Sequence, residues 1–189
     1  KASTGKPLRR GISDEDRSAI IRKYYEPHHT RFTEAVKNAL AVYGRCLIID
    51  AHSFSSLPLG YEADQFPDRP DICIGSDSYH TPQRLSDLLA VSFDKAGFSV
   101  KINSPFAGSI VPMSYYHVNE DVYSIMIEVN RSLYMNESTG KRNAQFTRIH
   151  DTLQPILREL IDSVFDDLHP DPGLVGPLAA RGKSRVHGP

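Results

Sequence analysis

The stretch RCLIIDAHSFSS, residues 45–56, is a continuous apolar run that ends on an acid, a histidine and a row of hydroxyl side chains. Bounded upstream by Gly44 and downstream by polar residues, it has the pattern of a strand covered on both faces, as in parallel sheets. An amphipathic helix leads into it, with Phe32, Ala35, Val36, Ala39, Leu40 and Tyr43 at spacings of three and four before Gly44. Ahead of that helix, Ser13 followed by Asp14, Glu15 and Asp16 reads as an N-cap with an acidic first turn, and Pro27 as the interruption between two helices.

Downstream the alternation continues. Residues 57–69 carry Pro58, Gly60, Asp64, Pro67 and Asp68, a loop long enough to be a candidate active-site loop. DICIG is a second strand; Thr81 and Pro82 form an N-cap and first-turn pair, and the helix they open closes at Gly97. FSVKIN and VYSIMIEVN are further strands. AQFTRIHDTLQPILRELIDSVFDDL is a helix with one apolar stripe, in which Pro155 predicts a kink or split. Residues 169–189 are rich in Pro, Gly and basic side chains without periodicity and read as a disordered tail. The expected architecture is one α/β domain over 8–168, a mixed, mostly parallel sheet flanked by helices.

Composition narrows the function. With 22 Lys and Arg interspersed among 23 Asp and Glu there is no basic footprint for nucleic acid, and no apolar run approaches a membrane span. Cys46 and Cys73 sit inside strand runs, which fits a reducing compartment and a cytoplasmic address. No Gly-x-Ser-x-Gly elbow, Cys-x-x-Cys pair or phosphate-loop spacing is present. The chain begins at Lys1, so a longer polypeptide is left open, and oligomeric state is unreadable.

In α/β sheets ligands collect beyond the carboxyl ends of strands, which singles out His52 and Ser53, Ser76 and Asp77, Asn103, and Asn130 and Arg131. His52 is either a zinc ligand, with Asp50 on the same face orienting its ring, or a hydrogen-bonded structural residue. Glu128, an acid inside SIMIEVN, is either a general base whose pKa burial raises or one arm of a salt bridge with Arg131 or a lysine. Arg131 and Arg69 offer planar forks for a carboxylate. His117 and Glu120 have an H-x-x-E spacing that can hold a metal, though in a loop context.

Taken together, IDAHSF (49–54), RPDICIGS (69–76), NSPFAGS (103–109) and IMIEVNRSLYM (125–135) resemble the N-formylglutamate amidohydrolase family, as does YYEPHH (24–29), with His28 where tyrosine is usual. Order and spacing agree across about residues 8–165. The resemblance implies a fold similar to zinc carboxypeptidases and aspartoacylases, and metal-dependent hydrolysis of the formyl amide of N-formylglutamate in histidine degradation. It makes His52 the metal ligand and Glu128 the carboxylate that activates water, with Arg69, Arg131, Asn103 and His29 as candidate substrate-binding residues. The family's upstream Pro-His-Ser-Gly stretch, its acidic ligand and its Asp-x-Asn-Arg strand are not in this chain, so zinc has one family ligand here, and His29, His117 and Glu120 are the in-chain substitutes. The rival reading is a non-catalytic homologue or fragment that binds a small acidic metabolite or a partner chain.

Overall fold

The structure, a computed structural model, describes residues 6–7 and 11–165. The chain opens with α1 (Asp14–Ile20) and α2 (Glu26–Tyr43), followed by β1 (Cys46–Phe54), β2 (Ile72–Ser76), α3 (Gln83–Lys95), β3 (Val100–Ile102) and β4 (Val122–Asn130). A small hairpin, β5 (Met135–Asn136) and β6 (Lys141–Arg142), precedes α4 (Phe146–Phe165). The main sheet has the order β1-β4-β2-β3; β1 with β4 and β2 with β3 are parallel, while β2 runs against β4. The mixed, mostly parallel sheet flanked by helices is therefore the architecture the sequence implies.

Register fixes the two faces. Ile125, Ile127 and Val129 of β4, with Ile72 and Ile74 of β2, bury against Leu85, Leu89 and Phe93 of α3 and Ile156, Leu160 and Val164 of α4. Residues of opposite parity, Cys46, Ile48 and Val122, pack on Val36 of α2 and on Val111. Along this second face the segment 103–111 crosses the sheet at Gly75, where a Cβ would run into the Gly108 carbonyl oxygen and the Met126 side chain. Glycine is what admits this close approach.

Three local expectations are corrected. Pro27 does not separate two helices: the backbone stays helical from Asp14 to Tyr43 through a π-turn at Ile21–Tyr25. The wider turn accommodates the proline, which lacks an N–H and would crowd the preceding turn of a regular helix. Pro155 lies on the exposed side of a continuous α4, whose other side is held by Ile149, Ile156, Leu160 and Val164. Thr81 does not cap α3; its hydroxyl donates to the Ser124 carbonyl and accepts from the Asp77 N–H. The Ser13 cap holds, with its hydroxyl accepting from the Asp16 N–H at 3.0 Å. The tail at 169–189 lies outside the described residues. No described helix is long and apolar enough to cross a membrane.

Candidate active site

Because β2 and β3 run against β1 and β4, the strand-end residues divide between two ends of the sheet. One end gathers His52, Ser53, Asn130 and Arg131 with the start of β2; the other gathers Ser76, Asp77 and Asn103.

At the first end the ladder sets His52, Glu128 and Cys73 side by side on neighbouring strands, all on the face that carries α2. His52 is half exposed, and its Nε2 lies 2.7 Å from Asp50 Oδ1, the pairing that strand periodicity suggests. Glu128 is 7% exposed, and its Oε2 has no hydrogen-bond partner among the described residues. Burial pushes its pKa above the usual carboxylate range; Asp50 and Glu62 add to the rise, while His52 and Arg131 offset part of it. The salt-bridge alternative for Glu128 has no ion pair to support it among the described residues. Cys73 is fully buried and donates to the Phe106 carbonyl at 3.2 Å. Burial raises the thiol's pKa, so it is a neutral neighbour rather than a nucleophile.

The two arginines are held in different ways. The Arg69 side chain is 2% exposed; its Nη2 bonds Glu62 Oε2 at 2.7 Å and the Asp64 carbonyl at 2.8 Å, and its guanidinium lies over the Phe106 ring. It buckles the 57–69 loop onto the sheet through Nη2, while its buried Nε and Nη1 have no hydrogen-bond partner among the described residues. Arg131 donates from Nε and Nη2 to the hydroxyl and carbonyl oxygens of Ser53, tying the end of β1 to β4.

Asn103 and His29 are not brought to this group. Asn103 is spent on Ser76, accepting its N–H and donating to its hydroxyl, both at 2.8 Å. His29 packs on Tyr25 with ring centroids 4.0 Å apart, along its own helix. From the NSPFAGS segment it is Phe106 that reaches the site. Glu62, which the sequence reading passed over, enters through Arg69 and through its charge near Glu128.

His117 does not join Glu120, which is exposed; its Nε2 lies 3.2 Å from both oxygens of Asp77, and its ring stacks against Tyr79 and Tyr116. His80, fully buried and also passed over, accepts the His117 backbone N–H at Nε2, so its Nδ1 carries the proton donated to the Val122 carbonyl at 2.7 Å. Among the described residues no group of three His, Cys, Asp or Glu side chains converges as metal donors.

The profile of the N-formylglutamate amidohydrolase family matches residues 1–135. The chain belongs to this family. Within the N-formylglutamate amidohydrolases it is similar to the N-formylglutamate deformylase of Pseudomonas aeruginosa, at 26% identity over 166 residues, covering 85% of this chain and 60% of that protein. The Pseudomonas putida deformylase is 24% identical over 169 residues, with the same coverage. The crystal structure of N-formylglutamate amidohydrolase from Ralstonia eutropha superposes with a TM-score of 0.75 at 26% identity, covering 84% of this chain and 57% of that one. A gene product of Agrobacterium tumefaciens shares the fold, with a TM-score of 0.55 at 21% identity over 81% of this chain and 55% of that one. The chain thus spans 60% of the length of the curated relatives it matches.

Proposed function

We propose that this chain takes part in hydrolysing the formyl amide of an N-formyl amino acid, N-formylglutamate first among them, in the cytoplasm as a step of histidine degradation. The observation that carries the reading is Glu128, a buried carboxylate with one oxygen unpaired, beside a half-exposed histidine in a family whose named relatives are deformylases. Its raised pKa brings the proton affinity of a general base closer to neutral pH. Glu128 takes a proton from the water that attacks the formyl carbon and returns it to the departing amide nitrogen, giving formate and the free amino acid. Arg131, with Nη1 not engaged by Ser53, and Arg69, with Nε and Nη1 unpartnered, are the cations proposed to meet a substrate carboxylate.

Zinc is the expected cofactor, and His52 the residue proposed to bind it. The described residues alone do not fit a zinc centre: a catalytic site takes about three protein ligands, and here one imidazole stands with its Nε2 engaged by Asp50. The same shortfall favours the second reading, a non-catalytic homologue that holds an acidic metabolite.

The test is formate release from N-formylglutamate by the purified chain, with zinc content measured by elemental analysis before and after His52→Ala. Formate release is the expected result, and whatever zinc the parent holds should fall in the variant. Binding of N-formylglutamate with no formate released would move the assignment to the second reading.

A further inference from the structure

Arg69 is a buried cation held at a single nitrogen. Both bonds of its guanidinium leave from Nη2, one to Glu62 Oε2 and one to the Asp64 carbonyl. Glu62, with a side chain 10% exposed, is itself fixed in place. The same Oε2 accepts the Leu59 N–H at 3.2 Å, and the Glu62 N–H donates to the Leu59 carbonyl at 2.9 Å. Gln65 closes the loop from within, donating from Nε2 to the Leu59 and Glu62 carbonyls at 3.0 and 2.7 Å. On the sheet side the Phe106 ring lies 5.6 Å from the guanidinium carbon, and Phe106 is seated edge to face on buried Phe54. Cys73 bonds the Phe106 carbonyl and stands beside Glu128 in the ladder, so Arg69 and Glu128 approach the same strip of β2 and β4.

We propose that Glu62 is a positioning residue for Arg69, holding the guanidinium by Nη2 so that Nε and Nη1 are left to a ligand carboxylate. The inference rests on the reading above, in which Arg69 meets the substrate carboxylate, and adds the residue through which that contact is set.

Glu62 acts on an anionic ligand in two opposed ways. As a negative charge it repels the ligand; as an anchor it fixes the donors before the ligand arrives. The geometry favours the anchor. A carboxylate competing for the ligand's place would take the arginine fork with both oxygens, whereas Glu62 spends one oxygen on one nitrogen and shares that oxygen with the Leu59 N–H. Ordering a long side chain in advance takes that cost out of the binding step, which is what the loop bonds and the Phe106 ring do for Arg69.

The test is a double-mutant cycle read by calorimetric titration, with N-formylglutamate and with glutarate, a dicarboxylate that has no amide. Glu62→Gln, Arg69→Lys and the double variant are titrated beside the parent at a temperature where circular dichroism shows each folded. Glu62→Asp, which keeps the charge and draws it back by one methylene, takes the place of Glu62→Gln if that variant does not fold. Glu62→Gln is expected to weaken binding on the order of tenfold, the scale of loss when a clamping group shifts out of place. Arg69→Lys should lose at least as much, because lysine keeps the charge without the fork. The double variant should bind no more weakly than Arg69→Lys alone, since Glu62 then has no fork left to hold. Tighter binding by Glu62→Gln overturns the proposal and makes Glu62 a competitor of the ligand. Unchanged affinity with a lowered melting temperature also overturns it, leaving Glu62 a role in loop stability alone. So do losses that add in the double variant, because Glu62 would then act elsewhere than through Arg69. A parent that binds neither compound overturns both this inference and the reading beneath it. The expected cycle without formate release supports the role of Glu62 and overturns the catalytic reading only.

Discussion

Glu128 and Asp77 are both carboxylates set close to the main sheet, and the chain treats them in opposite ways. Asp77 follows β2, where the backbone turns, so the N–H groups of Tyr79 and His80 reach one oxygen at 2.9 and 3.0 Å while His117 reaches both. Burial alone would raise its pKa, but these donors outweigh it and hold the group below the usual carboxylate range. Glu128 sits within β4, where the backbone amides are committed to the ladder, and is left with a buried oxygen unpaired. A turn can satisfy an acid from its own backbone; a central strand cannot. The uncompensated acid is the one on the side of the sheet that carries the half-exposed His52, and it is the acid proposed above as the base, whereas the satisfied acid is an anchor.

The largest expected effect separates the two by activity. In a sample that releases formate, Glu128→Gln should lower turnover by about 10²–10⁴-fold while the chain stays folded, as expected for removal of a general base. Asp77→Asn should leave turnover within a few-fold of the parent, because the cluster around it lies near Val122, six residues and roughly 20 Å along β4 from Glu128. Equal losses in the two variants would erase the distinction.

A second effect concerns the segment that joins the two ends. Residues 103–111 start at Asn103 beside Ser76, cross Gly75 and bring Phe106 onto Cys73 and Arg69. Gly75→Ala should push this segment off the sheet and lower unfolding stability by about 3 kcal/mol in urea titrations, an overpacking penalty against backbone that has little room to give. Parental stability would mean that the crossing does not depend on that close approach.

The strands and most helices were legible because their signals are local. RCLIID, DICIG and VYSIMIEVN are apolar runs with clear borders, and Ser13 announces its helix through the three acids directly after it. Pro27 and Pro155 misled because tertiary packing and a widened turn outweigh the local penalty of a proline. At the site, Asp50 beside His52 could be read from strand periodicity, and Glu128 from a charge in an apolar run. Arg69, Asn103 and His117 could not, because their partners, Glu62, Ser76 and Asp77, are fixed by loop paths and by the antiparallel turn of β2, which no spacing encodes. Strand-end logic grouped all the candidates together; strand direction divides them.

The smallest expected effect is the sharpest, because its sign differs between the two acids. Glu128, with its pKa raised in the native state, keeps its proton at pH values where the unfolded chain has lost it. Its contribution is therefore full below the usual glutamate value and is lost as pH rises through the raised one. Glu128→Gln removes that decline, so the variant should gain on the parent as pH climbs through this window. Asp77, with its pKa depressed, contributes above the usual aspartate value and loses that contribution as pH falls through the lowered one. Asp77→Asn should be weaker than the parent by about 1 kcal/mol near neutral pH, from the loss of charge-assisted bonds. That deficit should close on acidification. Urea midpoints of both variants against the parent, stepped from acid to neutral pH, read the two slopes directly. Slopes of the same sign would mean that burial and hydrogen bonding act alike on the two acids, and Glu128 would lose its standing as the group kept uncompensated for chemistry.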